Sequence, residues 1–146
     1  MMWFMNNTLD TASLPWIPLG PGESFKPLHF YPDDRARTLL LRLEPGTMVP
    51  RHRHLGEVHV FNLSGQRRLD TGEVVGPGGY VYEPAGDVDS WKAVGDEPVV
   101  VHIVSFGAME YLGDDDRVLR RDTAASMREI YHRYCREKGI SPQDLG

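Results

Sequence analysis

Pro50-Arg51-His52-Arg53-His54-Leu55-Gly56-Glu57-Val58-His59 is the stretch that decides how this chain folds and what it can do. Three of the six histidines lie in it, and a single residue separates His52 from His54. An extended strand sends residues i and i+2 to one face, so the two imidazoles enter a common space. Paired ring nitrogens beside a carboxylate are the beginning of a strand-based metal site. Val58, Val60 and Phe61 continue the strand pattern until Asn62-Leu63-Ser64-Gly65 ends it. The plainer alternative is a pair of solvent-facing histidines on an edge strand.

Working outward, strand-like runs recur with short breaks: 25–31, 38–43, 48–54, 58–63, 66–70, 72–75, 79–83, 90–94 and 99–106, then 110–112 and 117–120. Glu44-Pro45-Gly46, Gly76-Pro77-Gly78-Gly79 and Pro84-Ala85-Gly86-Asp87 punctuate them. Many short strands broken by Gly and Pro indicate a sandwich or barrel. Residues 1–24 read as an irregular arm, with Trp3, Phe4 and Trp16 suited to lying over a sheet or a second subunit. The period changes after Asp122-Thr123, where Met127, Ile130, Tyr131, Tyr134 and Cys135 form a helical stripe that Gly139 stops. The expected organisation is one domain: an arm over 1–24, a barrel over 25–121 and a helix over 122–139 packed on it.

At 146 residues, 40% hydrophobic and with a net charge of −5, the chain suits a single globular domain and argues against nucleic acid as a partner. Arg51, Arg53, Arg67 and Arg68 are expected on a rim or an interface. The lone Cys135 removes disulfides and thiolate clusters, which leaves histidines and carboxylates as the ligand set. No apolar run approaches a membrane span, and the start has no signal-like pattern, so the expected location is the cytoplasm.

Two blocks carry a resemblance. Gly46 through His52-Arg53-His54 to Gly65, and Gly79-Tyr80-Val81-Tyr82-Glu83-Pro84-Ala85-Gly86-Asp87-Val88-Asp89, resemble the two motif blocks of the cupin superfamily over roughly residues 38–106. That implies an all-β, RmlC-like jelly-roll barrel. In cupins the first block gives two histidines and a glutamate. The second gives a histidine three residues after Pro-x-Gly, where this chain has Asp89. Unbroken alternation from His54 would turn Glu57 outward and Val58 inward; a bulge at Gly56 would bring Glu57 in as a further ligand. Asp89 is either a turn residue or the carboxylate of a two-histidine, one-carboxylate facial triad suited to non-haem Fe(II).

Within the superfamily, Leu43-Glu44-Pro45-Gly46, Gly56-Glu57-Val58-His59 and Tyr82-Glu83-Pro84 look like the branch containing 2,4′-dihydroxyacetophenone dioxygenase and the acetylacetone-cleaving dioxygenase, among the ChrR-like cupins. That likeness implies a non-haem iron enzyme that uses O2 to cleave a carbon–carbon bond beside a ketone. His52 and His54 would be metal ligands, with Asp89 at the position of the third. Glu83 would be an acidic group near the metal, acting as base. Val81, Trp91, Phe61 and Phe106 are expected to line an apolar pocket, with His102 as a fourth ligand, a substrate donor or a core histidine. Fe(II) is the expected cofactor, with Zn, Ni or Mn as alternatives. The partners would be a β-diketone or hydroxyaryl ketone, O2, and a second copy in a homodimer or homotetramer. The rivals are a metal-holding regulatory cupin of the anti-sigma type, counted against by the absence of a helical domain before the barrel, and a metal-free isomerase-like or ligand-binding cupin.

Overall fold

The computed structural model describes residues 6–146. Trp3 and Phe4 of the expected arm lie outside them. The strands, in chain order, are β1 (Ile17–Gly20), β2 (Glu23–Phe30), β3 (Ala36–Leu43), β4 (Met48–His54), β5 (Val58–Ser64), β6 (Gln66–Leu69), β7 (Val74–Val75), β8 (Tyr80–Glu83), β9 (Val88–Val94), β10 (Val99–Phe106), β11 (Met109–Leu112) and β12 (Val118–Asp122). One helix, α1 (Ala124–Lys138), follows. The strands form two six-stranded antiparallel sheets, ordered β1-β2-β3-β10-β5-β8 and β12-β11-β4-β9-β6-β7. Two facing antiparallel sheets of this kind make a jelly roll.

Alternation builds the interior. Leu39, Leu41 and Leu43 of β3, Val99 and Val101 of β10, and Val58 and Val60 of β5 are buried on one sheet. Val49, Trp91 and Ala93 join the same core from the other. The core extends under the helix through Met127, Tyr131 and Cys135, the buried part of the stripe. Thr123 and Ser126 cap its start reciprocally, a device that contributes about 1 kcal/mol. Gly139 ends it in the left-handed conformation at φ 66°.

The segment read as an irregular arm is partly sheet. Ile17 pairs with Phe25 and is fully buried, and Pro18 is tolerated because β1 is an edge strand. A short 3-10 turn at Thr11–Ser13 precedes it, and Lys26 lies 4.8 Å from the centre of the Trp16 ring. No helix among the described residues is long and apolar enough to cross a membrane.

Candidate metal centre

The decisive local feature is a bulge. Val49 pairs with Trp91 and His52 pairs with Asp89, so three steps along β4 match two along β9. The extra residue falls at Pro50-Arg51 and resets the parity of the strand. Without it, Val49 inward would send His52 and His54 to the outer face. With it, Val49, His52 and His54 are all buried, the histidines at 2% and 6% exposure.

The two rings meet edge to face with centroids 4.7 Å apart. His52 Nδ1 donates to the Pro50 carbonyl at 2.7 Å, which leaves the Nε2 lone pair free for an electrophile. His54 Nδ1 is buried with no hydrogen-bond partner, and its Nε2 lies 3.4 Å from Glu83 Oε2. Burial, then the neighbouring His52, pushes the His54 pKa down to about 3, so this imidazole is neutral and ligand-ready.

The Pro84–Asp87 turn brings the carboxylates to these rings. Gly86 N donates to the His54 carbonyl at 2.7 Å, and His54 N donates to the Asp87 carbonyl at 2.9 Å. Gly86, at φ 89°, supplies the backbone conformation the turn requires. Glu83 ends β8 just before the turn, and Asp89 lies in β9 directly opposite His52, not in the turn itself. Donor oxygens of Glu83, Asp87 and Asp89 lie within 4.8 Å of one another. Burial pushes Glu83 up to about 9, helped by a hydrogen bond with Asp89 and by that residue's charge. Burial and Asp89 raise Asp87 as well. Carboxylates this close cannot all ionise without a cation, and they hold a proton in its place.

Arg67 is a buried cation acting on Glu83. It is 1% exposed, with its guanidinium carbon 4.8 Å from the centre of the Trp91 ring, and its charge opposes the rise at Glu83. This corrects the expectation that Arg67 occupies a rim or an interface. The residues close enough to share an ion are Glu83, Asp87 and Asp89, and neither His52 nor His54 belongs to that group. Yet His54 Nε2 adjoins Glu83 and its other ring nitrogen is orphaned, a donor set whose chemistry suits a divalent cation.

The remaining candidates separate by face. Trp91 lines the interior cavity beside His52, His54 and Glu83. Val81 packs against the core without reaching the cavity lining. Phe61 is 42% exposed on the outer face, a correction to its expected place in the pocket. Phe106 and His102 are also turned outward, because Val101, Ile103 and Ser105 take the inward positions of β10. His102 Nε2 is engaged with Thr38 Oγ1 at 2.7 Å, and Phe106 packs on His59. Glu57 is in the loop before β5, with Oε2 3.7 Å from His59 Nε2, outside the cavity. The parity is not reversed at Gly56, since His54 and Val58 are both buried; Gly56 is instead required because its backbone lies so close to the Phe106 carbonyl that a Cβ would collide. Asp87 and Arg67 are the site residues that the sequence reading missed.

The cavity itself has a volume of about 70 Å³ and is walled chiefly by Leu39, Leu41, Val49, Val60, Trp91 and Ile103, with Met127 of α1 also lining it.

The family model of the ChrR cupin-like domain matches residues 5–110. An RmlC-like cupin protein from Ralstonia eutropha JMP134 superposes with a TM-score of 0.90 at 27% identity, covering 97% of this chain and 94% of that one. An acetylacetone dioxygenase from Acinetobacter johnsonii superposes at 0.74 with 15% identity, covering 89% and 92%. A chain of the Rhodobacter sphaeroides complex between SigE and the anti-sigma ChrR superposes at 0.58 with 22% identity, covering 66% and 50%. The last two likenesses show the shared fold. No curated protein matches the sequence.

Proposed function

The chain belongs to the ChrR cupin-like family, and from that premise we propose that it is a non-haem Fe(II) dioxygenase cleaving a carbon–carbon bond beside a ketone. The observation that supports this most is that buried His52, His54 and Glu83 line one cavity, with Asp87 and Asp89 clustered on Glu83 behind it. His52, His54 and Asp89 would hold the ion, with Glu83 next to it. When bound, Fe(II) supplies Lewis-acid polarisation of the ketone and the redox capacity to use O2.

The chain's own residues do the rest. Glu83 holds a proton in the metal-free protein, and with a cation in that proton's place its carboxylate would be the base for the carbon between two carbonyls. Arg67 favours the ionised form of Glu83, the form able to accept a proton. Leu39, Leu41, Val60 and Ile103 exclude water from the reacting carbon. The Pro50 carbonyl fixes the orientation of His52.

Anaerobic reconstitution with Fe(II), followed by an oxygen-electrode screen of β-diketones and hydroxyaryl ketones, tests the reading. It expects stoichiometric iron and ketone-dependent O2 uptake. A regulatory, metal-holding cupin is the second reading, favoured by the fold shared with the anti-sigma complex. It expects tight metal with no O2 uptake. Elemental analysis separates Fe from Zn, Ni and Mn, and lack of any metal removes both readings.

A further inference from the structure

The outer face of the sheet that ends in β8 carries the exposed aromatic side chains of this molecule. Val58, Val60 and Glu83 are buried, so alternation turns His59, Phe61 and Leu63 of β5 and Tyr80 and Tyr82 of β8 outward. Phe61 stands opposite Tyr80, and His59 stands opposite Tyr82. On the other side β10 continues the surface, with His102 beside Phe61 and Val104 beside His59. Tyr80, Tyr82, Leu63 and Phe61 are 56%, 52%, 45% and 42% exposed. No other Phe, Tyr or Trp among the described residues is as open.

This face is also free of charge. None of the outward positions of β5, β8 and β10 holds Asp, Glu, Lys or Arg; Glu57 lies at the rim, 3.7 Å from His59. The outer face of the other sheet is the opposite case. There Arg68 stands beside Lys92, and Glu110 takes both Arg53 and Arg121. The rings of the uncharged face are already ordered. Tyr80 Oη and His59 Nδ1 are hydrogen-bonded at 2.6 Å, and the His59 ring lies 5.4 Å from Tyr82 and 6.2 Å from Phe106, centre to centre. Such prior ordering lowers the entropic cost of burying these side chains against a partner.

We propose that this face packs against the same face of a second copy of the chain, giving a twofold, sheet-on-sheet dimer. Charge selects the occupant. At a net charge of −5 two copies repel, and they approach at least cost where neither presents a charge. A nucleic acid or a strongly charged protein would find no countercharge here. A second copy supplies the matching uncharged surface. Area agrees with this choice. An aromatic side chain can bury roughly 150–250 Å², so Phe61, Tyr80 and Tyr82, each about half exposed, offer on the order of 300 Å² between them. Leu63, His59 and the outward side chains of β10 extend this toward the roughly 600 Å² per partner at the lower end of stable interfaces. Soluble monomers rarely leave a contiguous apolar patch of this size open. The interface needs neither metal nor turnover, so it stands apart from the dioxygenase reading.

Sedimentation velocity of the full chain over a range of concentrations tests this directly. Wild type is expected to sediment as two chains. Phe61→Glu and Tyr82→Glu, each placing an unpaired charge in the interface, should raise the dimer dissociation constant at least roughly thirtyfold. Lys92→Glu, on the charged face, should leave it unchanged. Hydrogen exchange of the wild type at high and low concentration locates the contact without any substitution, and carries the test should a glutamate variant fail to fold. Concentration-dependent protection is expected in β5, β8 and β10. A monomer at every concentration, a dimer that survives both glutamates, or protection confined to β4 and β9 overturns the proposal. So does a monomer that dimerises only after removal of residues 1–5, since the apolar Met1-Met2-Trp3-Phe4-Met5 would then be what covers the face.

Discussion

His52 and His54 on one side, His59 and His102 on the other, are four imidazoles in the same barrel with opposite fates. The first pair is buried beside carboxyls that share a proton. The second pair faces outward, His59 against Tyr80 Oη at 2.6 Å and His102 against Thr38. Residue type does not separate them; strand parity does. His102 falls between inward Val101 and Ile103, whereas the bulge at Pro50-Arg51 shifts His52 and His54 into the interior. The proposed metal site therefore depends on one extra residue in β4 as much as on the histidines it re-aims.

The largest effect expected from breaking this contrast is at the inner pair. His52→Ala or His54→Ala should eliminate stoichiometric metal and any metal-dependent turnover, as elemental analysis of purified protein would show. Deleting Arg51 should do the same without removing a histidine, because the restored alternation sends both rings outward; metal retention by that deletion variant would refute the parity account. Asp89→Ala or Glu83→Gln should weaken metal affinity by about 10–100-fold, measured by competition with a chelator.

A smaller effect concerns pH. Glu83 keeps its proton to about 9 in the folded metal-free protein but ionises near the ordinary glutamate value once unfolded. Its stabilising contribution is thus complete below that ordinary value and is lost as pH rises through about 9. Thermal unfolding of the metal-free protein should show a falling melting temperature across this window, and Glu83→Gln should flatten the slope. The smallest effect is on the outer pair: His102→Ala should cost about 0.5–1.5 kcal/mol, the worth of its hydrogen bond to Thr38, and leave metal content intact.

Most of the fold was legible because period-2 patterning and Gly/Pro turns act locally. β4 and β10 run over the residues expected, and the C-terminal stripe is the helix that covers the core. The edge strand at Ile17–Gly20 was hidden because Pro15 and Pro18 resemble loop chemistry, and only pairing with β2 makes it sheet. In the site, His52 and His54 announce themselves by spacing. Arg67 does not, since arginine in a strand reads as a solvent-facing residue. For Phe61 the apolar character suggested a pocket, but parity with buried Val60 places it outside.

The most direct test is iron content after anaerobic Fe(II) loading of three proteins: wild type, His54→Ala and His102→Ala. The account predicts about one iron per chain in the first and third, and none in the second. Iron retained by His54→Ala, or lost from His102→Ala, would contradict it.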